Sequence, residues 1–302
     1  MTEVVFLLVP QLHLLDLAGP AQVFSTAADL GHRYRLRYVG EQEDVPTAQG
    51  VPLRAEADLP RLSPDDLLVV PGWRSPTLTA NGRLRPATRQ WIAEHHAAGG
   101  TVASVCSGAD ALGQAGLLDG RRCTTHHELQ DFLAGRYPRA SVARDVLFVV
   151  DDRVITSAGI ASGIDLALHL VATRHGPAVA AQIARSMVVY TRRNGNEQQI
   201  SAMLRHRSHL SDVVHQVQDV IDSRFAEPLP LAELSGTAGV SERTLTRLFG
   251  AAIGRTPLRY QQELRLERAQ HLIGQGATVE SAARAVGFDD ARMLRRLRAR
   301  AA

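Results

Sequence analysis

Cys106 is the residue of this sequence that is best placed to do chemistry. An apolar run from Thr101 to Val105 leads into it, Ser107-Gly108 follows, and helical periodicity extends from Ala111 to Leu117. This pattern predicts a strand, a sharp turn and a helix, so that the cysteine stands above the edge of a sheet. Amides at the start of the next helix would favour a bound anion and a thiolate over a thiol. We interpret Cys106 as a nucleophile or pocket residue, against the alternative of a small buried apolar side chain.

Other candidate site residues follow neighbouring predicted strands. Asp16 comes after the first strand and Gly72-Trp73 after the third, and parallel strands bring their carboxyl ends to one edge of the sheet. A carboxyl group beside a thiolate would be kept protonated by like-charge repulsion. The sequence fits equally well with Asp16 as an N-cap before Ala18.

Two adjacent histidines, His126 and His127, follow Cys123. His126 is a candidate base for Cys106, and the alternative is a solvent-facing or structural histidine. Cys106 and Cys123 are too far apart for a C-x-x-C metal site, and adjacent histidines do not readily face one ion. We therefore expect no metal and no cofactor.

Strand and helix patterns alternate along the first two-thirds of the chain, which predicts an α/β fold with a doubly wound, flavodoxin-like parallel sheet. A hairpin turning at Asp151-Asp152 is predicted next. The predicted strands are Val4–Val9, Arg35–Val39, Leu67–Val70 and Thr101–Val105, with helices over Ala18–Leu30, Arg85–Ala98, Ile164–Arg174 and Ala178–Val189.

The composition changes near Thr191, and we place the domain boundaries there: residues 1–192, a linker over 193–211, and an all-α domain over 212–302. This last domain contains a weak repeat, with Gly239 and Gly287 in matching turns between helical segments. A short helix, a glycine turn and a second helix form the helix-turn-helix pattern. Two such units are predicted.

Charge supports a nucleic-acid role for the repeat region. The net charge of the 302 residues is only +3, and all basic residues are Arg. Twelve of these Arg residues lie from Gly236 to Ala302, against six acidic residues. Arginine suits bidentate contacts with phosphate and guanine.

The candidate DNA-reading helix begins after Ser241, which is a suitable N-cap. Its exposed positions carry Arg243, Thr244 and Arg247, whereas Leu245 and Phe249 are expected to pack inward together with Leu248. In the second unit the candidate phosphate contacts are Arg292, Arg295 and Arg296.

The sequence favours a cytoplasmic location. Only two cysteines are present, Glu3 stands where a signal peptide carries positive charge, and no apolar stretch approaches the roughly 20 residues of a membrane span.

The first two-thirds of the chain resembles the class I glutamine amidotransferase-like superfamily, in the branch of the PfpI proteases and isocyanide hydratase. The resemblance implies that Cys106 is a nucleophile contacted by Asp16, and that Gly72, Trp73, Ser107 and Gly108 line the ligand pocket. The matching segments are Leu15–Phe24, Val69–Trp73, Val105–His127 and Thr156–Val171. His126 stands in a T-T-H motif, but His127 replaces the usual Trp.

The remainder resembles the DNA-binding unit of AraC/XylS regulators, in the arrangement of GlxA-like proteins. The matching segments are Gly239–Phe249, Gly254–Ile273 and Ala285–Phe288. Relatives continue with an aromatic core residue where Arg298 stands, so the second unit is expected to be weakly folded or to contact mainly phosphate. We expect the first reading helix to dominate DNA binding.

The combined resemblance implies a sequence-specific transcriptional regulator that binds an operator as a homodimer and senses a small molecule, with RNA polymerase as a further partner. The alternatives are a cysteine-dependent hydrolase or hydratase with an accessory helical domain, and a thiol-based redox or electrophile sensor.

Overall fold

The computed structural model describes residues 1–74, 84–189 and 193–301. They form two compact units, Met1–Gln199 and Ile200–Ala302. Residues 193–211, predicted as a linker, are divided between these units, and Thr191 lies outside the described residues.

The N-terminal unit is built on a six-stranded sheet with the order β2-β1-β5-β6-β10-β9. Five neighbouring strands are parallel, and only the edge strand β9 runs antiparallel, to β10. The strands are β1 (Thr2–Leu8), β2 (Tyr34–Gly40), β3 (Asp44–Pro46), β4 (Pro52–Arg54), β5 (Leu67–Val70), β6 (Thr101–Val105), β7 (Arg122–Cys123), β8 (Ser141–Val142), β9 (Phe148–Asp151) and β10 (Val154–Ser157). The predicted doubly wound parallel sheet and the hairpin are thus confirmed.

Helices cover both faces of this sheet. Strand β1 is accordingly apolar on both sides, as expected for a strand that is buried on both faces. Val4 and Phe6 belong to one core cluster with residues of α1 and α5, whereas Val5 and Leu7 belong to another with Ile92 of α2. The helices are α1 (Leu14–Asp29), α2 (Pro86–Ala97), α3 (Ala109–Gln114), α4 (Gln130–Arg136), α5 (Ser162–His175) and α6 (Pro177–Ser186).

The sequence analysis did not predict the short strands β3, β4, β7 and β8. Each has only two or three residues, which is too short for an alternating pattern to show. The β3–β4 pair forms a separate antiparallel hairpin, and β7 pairs with β8 in a two-stranded parallel sheet.

The described part of the C-terminal unit is helical. Its helices are α7 (Ala202–Arg205), α8 (Asp212–Arg224), α9 (Leu231–Thr237), α10 (Glu242–Ile253), α11 (Pro257–Gly274), α12 (Val279–Ala285) and α13 (Ala291–Ala301). The pairs α9–α10 and α12–α13 are the two predicted helix-turn-helix units. Gly239 (φ 64°) and Gly287 (φ 82°) occupy their turns in the left-handed region that favours glycine.

Each helix-turn-helix unit has its own core cluster. Leu245 and Phe249 are fully buried in the first, and Leu294 and Leu297 are buried in the second, together with Phe288. Leu297 packs in this core beside the exposed Arg298, and the expectation that the second unit is weakly folded or contacts mainly phosphate stays a prediction. None of the described helices is long and apolar enough to cross a membrane.

Candidate functional site

Cys106 lies at a backbone elbow at the carboxyl end of β6, as predicted. Its φ angle is +57°, in the left-handed region that residues other than glycine rarely adopt. A 3-10 turn, Cys106–Gly108, leads into α3. The Thr125 hydroxyl donates a hydrogen bond to the Cys106 carbonyl oxygen at 2.8 Å and so holds the elbow from the next loop.

Two glycines approach the Cys106 side chain more closely than any other residue type allows. A Cβ atom on Gly159 would stand 2.2 Å from Cys106 Cβ and 2.9 Å from its Sγ atom. A Cβ on Gly72 would stand 2.7 Å from Cys106 Cβ and 2.6 Å from Asp16 Oδ2. The structure therefore brings together Cys106, Asp16 and Gly72, three residues that the sequence analysis assigned to the site.

Asp16 is not a helix cap. Helix α1 begins at Leu14 after His13, so Asp16 lies within its first turn and the N-cap alternative is wrong. The Asp16 side chain is fully buried, and its Oδ1 atom accepts a hydrogen bond from the Ile160 amide at 2.6 Å. Its Oδ2 atom has no hydrogen-bond partner among the described residues.

Burial raises the pKa of Asp16 to about 6, although the hydrogen bond from Ile160 opposes this shift. The direction of this shift is the predicted one, but repulsion from a thiolate is not its main cause. Removal of the carboxylate from water is the larger cause.

The surroundings of Cys106 oppose the expected thiolate. Cys106 is only 6% exposed, and burial raises the pKa of its thiol far above its ordinary value. The negative charge of Asp16 raises that pKa further, whereas a hydrogen bond from the Ser107 amide opposes it. Helix α3, which follows the elbow, has only six residues. Burial and the Asp16 charge therefore both favour the thiol over the thiolate.

Ser107 and Gly108, predicted to line the pocket, join the elbow to the end of β5. The Ser107 hydroxyl accepts a hydrogen bond from the Trp73 amide at 2.7 Å and donates one to the Trp73 carbonyl at 2.9 Å. A Cβ on Gly108 would stand 2.1 Å from the Val70 carbonyl oxygen. These contacts place Trp73 beside the site and engage the Ser107 hydroxyl with the backbone.

The histidine pair forms part of the turn that follows Thr125. The His126 Nδ1 atom accepts a hydrogen bond from the Glu128 amide at 3.4 Å, and the His126 and His127 rings lie 4.3 Å apart. Burial and then the neighbouring His127 lower the pKa of His126, so its ring is neutral at pH 7. No hydrogen bond joins the described atoms of His126 and Cys106, and the base role of His126 stays a prediction.

The sequence analysis did not identify Ile160 and Thr125, which hold Asp16 and Cys106 in place. Ile160 has a φ angle of +50°, and no sequence signal marks a β-branched residue in that conformation. Within the described residues, no group of three or more His, Cys, Asp or Glu side chains is arranged to hold a metal ion.

The candidate DNA-reading surface of the first helix-turn-helix lies on α10. The Ser241 hydroxyl accepts a hydrogen bond from the Thr244 amide at 3.2 Å, so Ser241 is the N-cap. Arg243 and Arg247 are exposed and Thr244 is partly buried, whereas Leu245 is fully buried.

Helix α13 presents the corresponding surface of the second unit. Arg292, Arg295 and Arg296 are all exposed, and Arg295 is paired with Glu280. Asp290 accepts hydrogen bonds from the first free amides of the helix, at Arg292 (2.8 Å) and Met293 (3.2 Å).

Comparisons with known proteins match both units. Residues 2–173 match the model of the DJ-1/PfpI family, and residues 234–301 match that of a helix-turn-helix domain.

Two relatives cover much of the chain. The chain is 32% identical over 290 residues to the HTH-type transcriptional regulator CdhR of Pseudomonas aeruginosa, an alignment that covers 94% of this chain and 84% of that protein. It is 34% identical over 172 residues to the isonitrile hydratase of Pseudomonas putida, which covers 56% of this chain and 70% of the hydratase.

A solved structure has the same fold as the N-terminal unit. The crystal structure of an AraC family transcriptional regulator from Pseudomonas putida superimposes with a TM-score of 0.55 at 23% identity, and covers 62% of this chain and 100% of the other.

Proposed function

This chain belongs to the DJ-1/PfpI family and carries a helix-turn-helix domain, as the similar transcriptional regulators do. On that premise we propose a separate function for each of its two units. The C-terminal unit binds an operator through α10 and α13. The N-terminal unit binds a small molecule at the Cys106 site, and its occupancy changes transcription. The two family matches and the similarity to HTH-type transcriptional regulators confirm the resemblance to regulators of the GlxA type.

The observation that carries the DNA-binding proposal is the exposure of arginine on two structurally separate recognition helices. Arg243 and Arg247 on α10, and Arg292 and Arg296 on α13, face solvent while the opposite sides of both helices are buried. A recognition helix of a helix-turn-helix enters the major groove and presents such side chains to base edges and phosphates.

The buried Cys106 site supports sensing over catalysis. A thiol with a strongly raised pKa is a poor nucleophile at neutral pH, because the thiolate is the reactive species. The buried Asp16 Oδ2 atom, which has no hydrogen-bond partner among the described residues, lies beside Cys106 and supports a polar contact with a small ligand at this place. Cys106 and Asp16 then contact the effector without forming a covalent bond.

The proposal includes three further features of the regulator. The protein acts in the cytoplasm, where it reaches DNA, and it binds repeated half-sites as a homodimer. RNA polymerase is its partner at promoters that it activates.

The DNA-binding proposal is tested by genome-wide binding of the full chain, followed by fluorescence anisotropy with the recovered sites. Replacing Arg243 and Arg247 together by Ala should weaken specific binding by roughly 1,000-fold, since one base-contacting arginine contributes about 2 kcal/mol. Replacing Arg54 and Arg61, two exposed residues of the N-terminal unit, together by Ala removes the same charge and is the matched control. Equal losses in both proteins would overturn the assignment of α10.

The sensing proposal is tested by a thermal-shift screen of amines, amino acids and nitriles against the full chain. A compound that binds should stabilise the unmodified protein and lose its effect in Asp16→Asn or Cys106→Ser. Unchanged stabilisation in both variants would place the effector elsewhere.

A further inference from the structure

The segment Arg193–Gln199 closes the N-terminal unit and precedes Ile200, the first residue of the C-terminal unit. It is polar, yet both of its ends are fixed to the N-terminal unit. At the first end, the Arg193 side chain donates two hydrogen bonds to Asp165 Oδ2, at 3.0 Å and 2.7 Å, and its amide donates one to Oδ1 at 2.9 Å. Asp165 is only 3% exposed, so this end is a charge-assisted anchor on α5.

Gln199 forms the second anchor. Its side-chain amide donates one hydrogen bond to the Thr125 carbonyl and one to the Val146 carbonyl, both at 2.9 Å. Its backbone amide donates to Asp145 Oδ1 at 3.0 Å. One side chain therefore bridges the loop after β7 and the loop before β9.

Between the anchors, Gly195 packs against β9. Its carbonyl accepts a hydrogen bond from the Leu147 amide at 2.8 Å, and a Cβ atom at this position would stand 2.7 Å from the Phe148 ring. Only glycine allows the segment to approach the strand this closely.

Two residues that bind this segment, Thr125 and Leu147, also bind residues of the Cys106 site. Thr125, which accepts a hydrogen bond from Gln199, donates its hydroxyl to the Cys106 carbonyl. On the other side, the Leu147 carbonyl accepts a hydrogen bond from the Ala158 amide at 2.8 Å. Gly159 follows directly and packs against the cysteine. The segment is thus connected to each side of the site through two successive hydrogen bonds.

We infer that Arg193–Gln199 is a clamp that couples the Cys106 site to the chain leading into the DNA-binding unit, with Gln199 as its positioning residue. The regulatory meaning of this coupling rests on the proposed function. An effector that displaces Thr125 or Ala158 strains the hydrogen bonds to Gln199 or Leu147, and release of the clamp loosens the two sides of the site. Such coupling is reciprocal: a change at the Cys106 site alters the stability of the clamp, and a change in the clamp alters the Cys106 site by the same free energy.

The clamp is suited to reversible release because it contributes little apolar surface. The Gln199 anchor consists of three hydrogen bonds, which contribute modestly to stability, so it opens more readily than the buried Arg193–Asp165 ion pair or the core. The clamp can therefore open while the sheet remains folded.

The test compares Gln199→Ala with Asn196→Ala, which changes an exposed side chain of the same segment. Hydrogen–deuterium exchange of the full chain, read by mass spectrometry, should be about tenfold faster over residues 125–129 and 158–162 in Gln199→Ala than in the control. Alkylation of Cys106 by iodoacetamide, followed against pH, should also accelerate. A change in exchange confined to residues 193–199, with unaltered alkylation, would make Gln199 a merely structural residue and overturn the inference.

Gln199→Glu provides a second variant if Gln199→Ala does not fold. It keeps the side-chain shape but places a carboxylate against the Thr125 and Val146 carbonyl oxygens, so it should show the same two effects. The reverse effect is measured on the chain without substitutions. After alkylation of Cys106, hydrogen–deuterium exchange should be faster over residues 193–199, and unchanged exchange there would also refute the clamp.

Neither measurement uses DNA. A chain that shows the coupling but binds no operator would refute the proposed function and leave the clamp standing. A chain that binds its operator without the coupling would refute the clamp alone.

Discussion

The Cys106 site and the two recognition helices are built in opposite ways. The site in the N-terminal unit is buried and joins side chains and backbone from distant parts of the chain, including Asp16 and Ile160, which are 144 residues apart. The surfaces of α10 and α13 are exposed, and each comes from one short stretch of sequence. Mutations in the two regions should therefore act on different properties: stability in the first and DNA affinity in the second.

The largest expected effect is the loss of stability on substituting Gly159, which packs closely against Cys106. Gly159→Ala forces a positive φ on alanine and places its Cβ 2.2 Å from that of Cys106, so we expect a loss of about 4 kcal/mol in unfolding free energy. Denaturant unfolding followed by tryptophan fluorescence measures it selectively, because both tryptophans, Trp73 and Trp91, lie in the N-terminal unit.

Gly116→Ala is the matched control for this substitution. Gly116 also has a positive φ, 77°, but no atom lies within 4 Å of its added Cβ. Its loss should be only about 1 kcal/mol, from backbone strain alone. Equal losses for the two glycines would mean that packing around Cys106 is looser than the structure indicates.

The next effect is the pH dependence that arises from Asp16. The folded pKa of Asp16, about 6, exceeds that of an unfolded aspartate, about 3.9. Between these values the folded state holds a proton that the unfolded chain has lost, so stability falls as pH rises from about 4 to 6. Relative to Asp16→Asn, the unfolding free energy of the protein without substitutions should fall by roughly 3 kcal/mol across this pH window and change little above it.

Denaturant titrations at several pH values measure this difference, with the exposed Asp58→Asn as the control. Stability that instead rises with pH relative to Asp16→Asn would show that the carboxylate is stabilised in the folded state, and would reverse the electrostatic description of the site.

The smallest effect concerns the second recognition helix. Replacing Arg292, Arg295 and Arg296 by Ala should weaken operator binding by about 30-fold, or roughly 2 kcal/mol, and reduce the slope of log affinity against log salt by about 3 if each contacts phosphate. Stability of the C-terminal unit, followed by circular dichroism, should change by less than about 0.5 kcal/mol because these side chains are exposed.

A loss larger than that of the Arg243 and Arg247 double variant would reverse the expected order of the two helices. A loss of stability instead of affinity would show that the exposed face of α13 contributes to folding, and would break the contrast between the two regions.

The sequence by itself determined the features that depend on neighbouring residues. Apolar runs placed the parallel strands, glycine turns placed both helix-turn-helix units, and Ser241 was recognised as a cap because its partner lies three residues away. The strand, turn and helix around Cys106 were also predicted, since an elbow is a local pattern.

Only the tertiary structure decided what surrounds that elbow. The raised pKa of Cys106, the burial of Asp16 within α1, the backbone contacts of Ser107 and the bridge formed by Gln199 all depend on groups that are remote in sequence. Periodicity and capping report interactions within a few residues, whereas desolvation and long-range hydrogen bonds exist only once the chain has folded. That difference explains why the exposed arginines and the buried core residues of α10 could be predicted from the sequence, whereas the surroundings of the thiol could not.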